Sequence, residues 1–161
     1  MNLRSRWSLG ALFLSLASTT EIAAQVVPAD QAGAIIGAAL ASARPFAPPG
    51  ETEAEVPATL GVAAAEVSKA LAAAQMKQGR LADVRVCTGG KLPSSCRLVG
   101  PAVFLQVSRV AGTATGAEVD VRILGETAST RQPIHGQEVT VALVRDGTGW
   151  RVTKVTPLWT S

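Results

Sequence analysis

Apolar positions recur at helical spacing in the first half of the chain and at strand spacing in the second, and the change falls near residue 80. Over 29–43, Ala32, Ile35, Ile36, Ala39, Leu40 and Ala43 share one helical face. Pro28 and Asp30 stand where helix-start signals belong, and Asp30 is a candidate N-cap. Gly33 and Gly37 each disfavour helix by about 1 kcal/mol relative to Ala, so they fit a short core helix in close contact with a neighbour. Over 58–78, Leu60, Ala63, Val67, Ala70, Leu71 and Ala74 predict a second, stronger helix, capped by Thr59 and closed at Gly79. Glu66 and Lys69 fall outside its apolar stripe as an i,i+3 pair, and Lys77 complements the dipole in the last turn.

Beyond residue 80 the period is two. Strands are predicted over 81–87, 96–99, 102–110, 118–124, 137–145 and 150–156. The clearest is 118–124, where Val119, Val121 and Ile123 alternate with Glu118, Asp120 and Arg122. Asp146-Gly147-Thr148-Gly149 reads as a hairpin turn. Consecutive strands on short turns make an antiparallel meander with one face for helices and one wetter face. The expected class is therefore α+β: two N-terminal helices packed on a curved antiparallel sheet.

Between the helices, 44–57 holds Pro45, Pro48, Pro49, Pro57 and Gly50, with Glu51, Glu53 and Glu55. Proline opposes regular structure and alternating carboxylates keep a segment solvated, so this stretch reads as an exposed linker. The expected layout is a cleavable segment at 1–24, an N-terminal helix within 25–43, the linker at 44–57 and an α+β core at 58–161.

The first 24 residues have the order of a secretory signal peptide: Arg4 and Arg6, a short apolar run around Leu9–Leu16, then Ile22-Ala23-Ala24 before Gln25. The apolar run is too short to span a ~30 Å hydrocarbon core as a helix. The sequence thus points to an exported protein, periplasmic or secreted and of bacterial type, with no stable membrane anchor after cleavage and Gln25 as its N-terminus. Cys87 and Cys96 are the two cysteines, separated by a stretch containing Gly89-Gly90 and Pro93. Turn-formers between two cysteines in an oxidising compartment predict a disulfide hairpin. A redox pair would more often be C-x-x-C, and zinc would need more ligands than one histidine, His135, can help supply.

Composition adds constraints. Aromatics are 4% of the chain and Ala and Val are abundant, so the core must be built from small and β-branched side chains with few large anchors. Removing Arg4, Arg6 and Glu21 from 15 basic and 12 acidic residues leaves 13 and 11, with no basic run. That balance argues against nucleic acid as the partner. No Gly-x-Ser-x-Gly elbow, phosphate-cradling loop, metal set or cofactor motif stands in the sequence, so no catalytic residue, metal or cofactor is assigned. His135, in the loop that begins with Arg131, is the one general acid–base candidate of its kind. Trp150 and Trp159 are either core packing or, with His135 and Arg131, parts of a binding surface.

The last hairpin, 139–155, carries Gly149-Trp150-Arg151-Val152 after its turn. With the strands of 102–156 behind N-terminal helices, it resembles the closing strands of the nuclear-transport-factor-like superfamily of cone-shaped α+β folds. That resemblance implies a fold used by isomerases, dehydratases, dimerisation modules and non-catalytic ligand binders. The leading expectation is a non-catalytic exported module for a protein partner or an apolar small ligand. The alternatives are a cone-fold enzyme using His135 and an envelope structural protein that pairs as a homodimer.

Overall fold

A computed structural model of the chain describes residues 27–87, 96–113, 115–125 and 135–158. The expected signal segment, its cleavage point, Arg131 and Trp159 lie outside the described residues.

The fold is α+β, with a mostly antiparallel sheet and one disulfide. Helix α1 spans Ala32–Ala43 and continues into a 3-10 turn at Arg44–Phe46. Strand β1 (Thr52–Glu55) and a 3-10 turn (Ala58–Leu60) precede helix α2 (Ala64–Ala74). Then come β2 (Lys77–Gln78), a short helix α3 (Leu81–Val84), and the hairpin of β3 (Arg85–Cys87) and β4 (Cys96–Leu98). The long strands β5 (Val103–Gly112), β6 (Gly116–Gly125), β7 (His135–Asp146) and β8 (Gly149–Leu158) follow.

The main sheet runs β2-β1-β5-β6-β7-β8, and β3-β4 forms a separate two-stranded sheet. From β5 to β8 neighbours are antiparallel, as the alternation predicts. At the other edge β1 is parallel to both β2 and β5.

Here the sequence reading needs correction. The segment 44–57 is not an exposed linker, because its residues 52–55 form an interior strand of the sheet. Thr52 and Ala54 are buried, while Glu53 and Glu55 point the other way. The alternating glutamates are the outward half of a period-two pattern. The helix expected over 58–78 is confined to Ala64–Ala74. It starts after Gly61, at φ 69°, and stops at Gln75 in the left-handed region at φ 54°. The segment 81–87 divides into α3 and β3 rather than forming one strand.

Helix α1 lies against β5–β8 on one side and α2 on another. Ile35, Ile36, Ala39 and Leu40 are fully buried, joined by Val103, Leu105, Val107, Val119, Val121, Val139, Val141 and Leu143 from the sheet. Phe104 is the one aromatic among the largest fully buried side chains, so the core rests on aliphatic residues as composition requires. Contact between the helices is close at the two glycines of α1. A Cβ on Gly33 would stand 2.7 Å from the Glu66 carbonyl oxygen, and one on Gly37 would stand 3.0 Å from that of Ala70.

A smaller apolar cluster sits on the opposite side of the sheet. Phe104 and Leu124 meet Leu98 of the hairpin and Val84 of α3, with Leu81 alongside. The hairpin is cross-linked by the Cys87–Cys96 disulfide, whose cysteines face each other in register, as the sequence predicts.

Candidate functional site

With α1 filling one face of the sheet, the other face carries the chain's polar organisation. A bulge in β5 sets its geometry. Val107 pairs with Val121, but Arg109 rather than Ser108 stands opposite Asp120. The extra residue turns both Ser108 and Arg109 toward the polar face, as bulges re-aim side chains.

Arg109 donates through Nε to Asp120 Oδ2 at 2.6 Å and through Nη2 to Glu118 Oε2 at 3.2 Å. Thr140, across from Asp120 on β7, donates its hydroxyl to Oδ1 at 2.7 Å. Ser108 donates to Glu138 Oε1 at 2.7 Å. Toward β1, Glu55 Oε2 accepts from Gln106 Nε2 at 2.8 Å and from the Leu81 N–H at 3.2 Å, which ties β1, β5 and α3 together. Asp120 is the anchor, with its side chain 14% exposed against 49% for Arg109. Burial raises the Asp120 pKa, but hydrogen bonds from Arg109 and Thr140 and the Arg109 charge outweigh it and hold the group below its ordinary 3.8. Asp120 therefore stays ionised near neutral pH, accepts from Arg109 and Thr140, and orders both.

A second carboxylate, Glu66, was expected on the outer side of α2. It is buried instead, with Oε2 accepting the Gly33 N–H at 3.1 Å. The N-cap of α1 is Gln31, with no side-chain cap, so Asp30 does not fill that role and Glu66 satisfies one N-terminal donor of α1 from the neighbouring helix. Lys69 donates to its other oxygen at 2.5 Å.

Of the possible binding residues singled out from sequence, Trp150 and His135 are described, and they are not brought together. Trp150 is half-buried and packs against the main core. His135 opens β7 opposite Gly125, while Trp150 pairs with Arg145 at the far end of that strand. Ten residues of strand at ~3.3 Å each put these backbone positions about 33 Å apart, too far for one small-molecule site. The polar ladder was visible only in part. Alternation places Glu118, Asp120 and Arg122 on one face, but their pairing with Arg109 depends on the bulge. Among the described residues, no group of three or more His, Cys, Asp or Glu stands close enough to hold a metal ion. No described helix is long and apolar enough to cross a membrane. Comparisons with protein-family models, curated proteins and solved structures give no match.

Proposed function

We propose that this chain is an exported, non-catalytic module that binds a protein partner on the polar face of its sheet. Export is supported by the signal-like order of residues 1–24 together with a disulfide, a bond that persists in oxidising compartments. One main helix on a four-stranded antiparallel meander supports the resemblance to the cone-shaped folds, although β1, α2, β2, α3 and the β3-β4 hairpin come between them in the chain. In that reading the meander curves around α1.

One observation favours a protein over an apolar ligand. The apolar side of the sheet, where a cone would hold a ligand, is packed by Ile35, Ile36 and Leu40 at 0% exposure. The surface left on offer is the ladder of Arg109, Glu118, Asp120, Arg122 and Glu138. Such ordered charge of both signs gives a protein interface its register and selectivity more than its raw affinity. The partner is a protein surface of mixed charge that complements this ladder.

The test is mass spectrometry of the chain purified, unreduced, from its export compartment, beside Arg109→Glu and Arg122→Glu variants. We expect a mature N-terminus at Gln25 and a defined complex that both charge reversals dissolve. A complex indifferent to both reversals, or a substrate turnover lost in His135→Ala, would overturn the reading.

A further inference from the structure

The hairpin that covers Phe104 carries an asymmetric disulfide. Cys87 lies on the exposed strand β3, whereas Cys96 on β4 is 3% exposed. Arg85 precedes Cys87 by two residues on the same strand and stands opposite Leu98. It is thus a diagonal, same-face neighbour of Cys96, within reach of a long side chain. The contact is made: Arg85 Nη2 donates to Cys96 Sγ at 3.2 Å. Cys87 is an exposed residue, and the sulfur of Cys96 has a guanidinium at hand.

We propose that Cys87–Cys96 is a site of thiol–disulfide exchange, in which an external aliphatic thiolate attacks Cys87 and Cys96 departs as a thiolate held by Arg85. The incoming thiol first loses its proton to solvent. Its sulfur then bonds to Cys87 Sγ while the Cys87–Cys96 bond breaks, and that electron pair leaves on Cys96 Sγ. Nothing beyond the thiol is consumed, and the product is a mixed disulfide on Cys87 with one free thiolate on Cys96. A cation beside the leaving sulfur lowers its pKa, and a lower pKa makes it leave faster. The direction of attack follows from the same arrangement, because Cys96 is buried and its departure is the one that Arg85 assists. The exchange acts on a structural clasp, since the bond that opens holds β3 to β4 above Phe104 and Leu124.

The probe is excess reduced glutathione near neutral pH, with an alkylating quench and peptide mapping. The expected product carries glutathione on Cys87 and the alkyl group on Cys96. Arg85→Gln should slow its formation by about three- to tenfold, and Arg85→Lys should recover most of the rate. Arg97→Gln removes an exposed cation from the other side of the same hairpin and should leave the rate unchanged. Glutathione on Cys96, an even split between the two sulfurs, or an Arg85→Gln rate equal to wild type would each overturn the proposal. The mapping result on unaltered protein does not depend on any variant folding.

Discussion

The Glu66 carboxylate on α2 accepts the Gly33 N–H in the first turn of α1, 3.1 Å away. This bond joins two helices end to side, and it ties stability to acid. The Lys69 hydrogen bond lowers the Glu66 pKa most; burial opposes it, while the Gly33 N–H and the Lys69 charge reinforce it, leaving the group below its ordinary 4.5. A carboxylate with a depressed folded pKa stabilises fully above its unfolded value and loses that contribution as pH falls through the folded one. Melting temperature should therefore drop below about pH 4.5 more steeply in wild type than in Glu66→Gln. Parallel acid melting curves for the two proteins would refute the link.

Gly33→Ala isolates the close approach. Helix propensity alone favours Ala by about 1 kcal/mol. The new Cβ would meet Glu66 Oε2 at 2.6 Å and its carbonyl oxygen at 2.7 Å. Overpacking should dominate, with a net loss of about 1–3 kcal/mol in urea unfolding. Gly37→Ala, whose nearest contacts are 3.0 and 3.1 Å, should cost less.

Asp120→Ala should cost about 1–2 kcal/mol, because Thr140 loses its acceptor and Arg109 keeps only that of Glu118. Arg109→Ala should cost under about 1 kcal/mol, since that side chain is half exposed. The double variant measures their coupling, and a coupling of zero would show that the ladder is not cooperative.

Trp150→Ala tests whether this side chain serves packing or binding. It is half-buried against the main core, so it should lower stability by about 2 kcal/mol, less than the loss for a fully buried Trp. Complex formation at low temperature should persist; its loss in a still-folded variant would return Trp150 to the binding surface.

Replacing both Cys87 and Cys96 by Ala should cost roughly 2–3 kcal/mol for so short a loop. The effect should be local. Hydrogen exchange should quicken in β3 and β4, which form a sheet separate from the main one, and stay slow in β5–β7. Uniform loss of protection would mean that the hairpin is integral to the main core.

The strands β5–β7 are legible because one face of each is buried, and β8 because its apolar side is half-buried, so alternation in the sequence mirrors alternation in space. Strand β1 was not, since four residues among prolines carry too little pattern and its glutamates mimic a solvated segment. A parallel interior strand depends on β5 and β2, which local sequence does not reveal. Glu66 was misread for a related reason. Its helical position indicates a side, but only the neighbouring helix shows that this side meets a bare N-terminus. The disulfide was legible from spacing and turn-formers, whereas the role of Arg85 required the strand register.

Helix α1 is held between α2 and the sheet, and one of the strands it touches, β8, is the last of the described elements. Synthesis runs from N- to C-terminus, so α1 is made before every strand that encloses it. Until residues 149–158 emerge, the apolar side of this helix has no complete cover, and its native contacts await distant partners that close slowly. A chain threaded through an export pore in the same direction would thus arrive unfolded and stay so until its tail is through. Truncation before β8 would leave a sticky, unfinished product rather than a smaller working one.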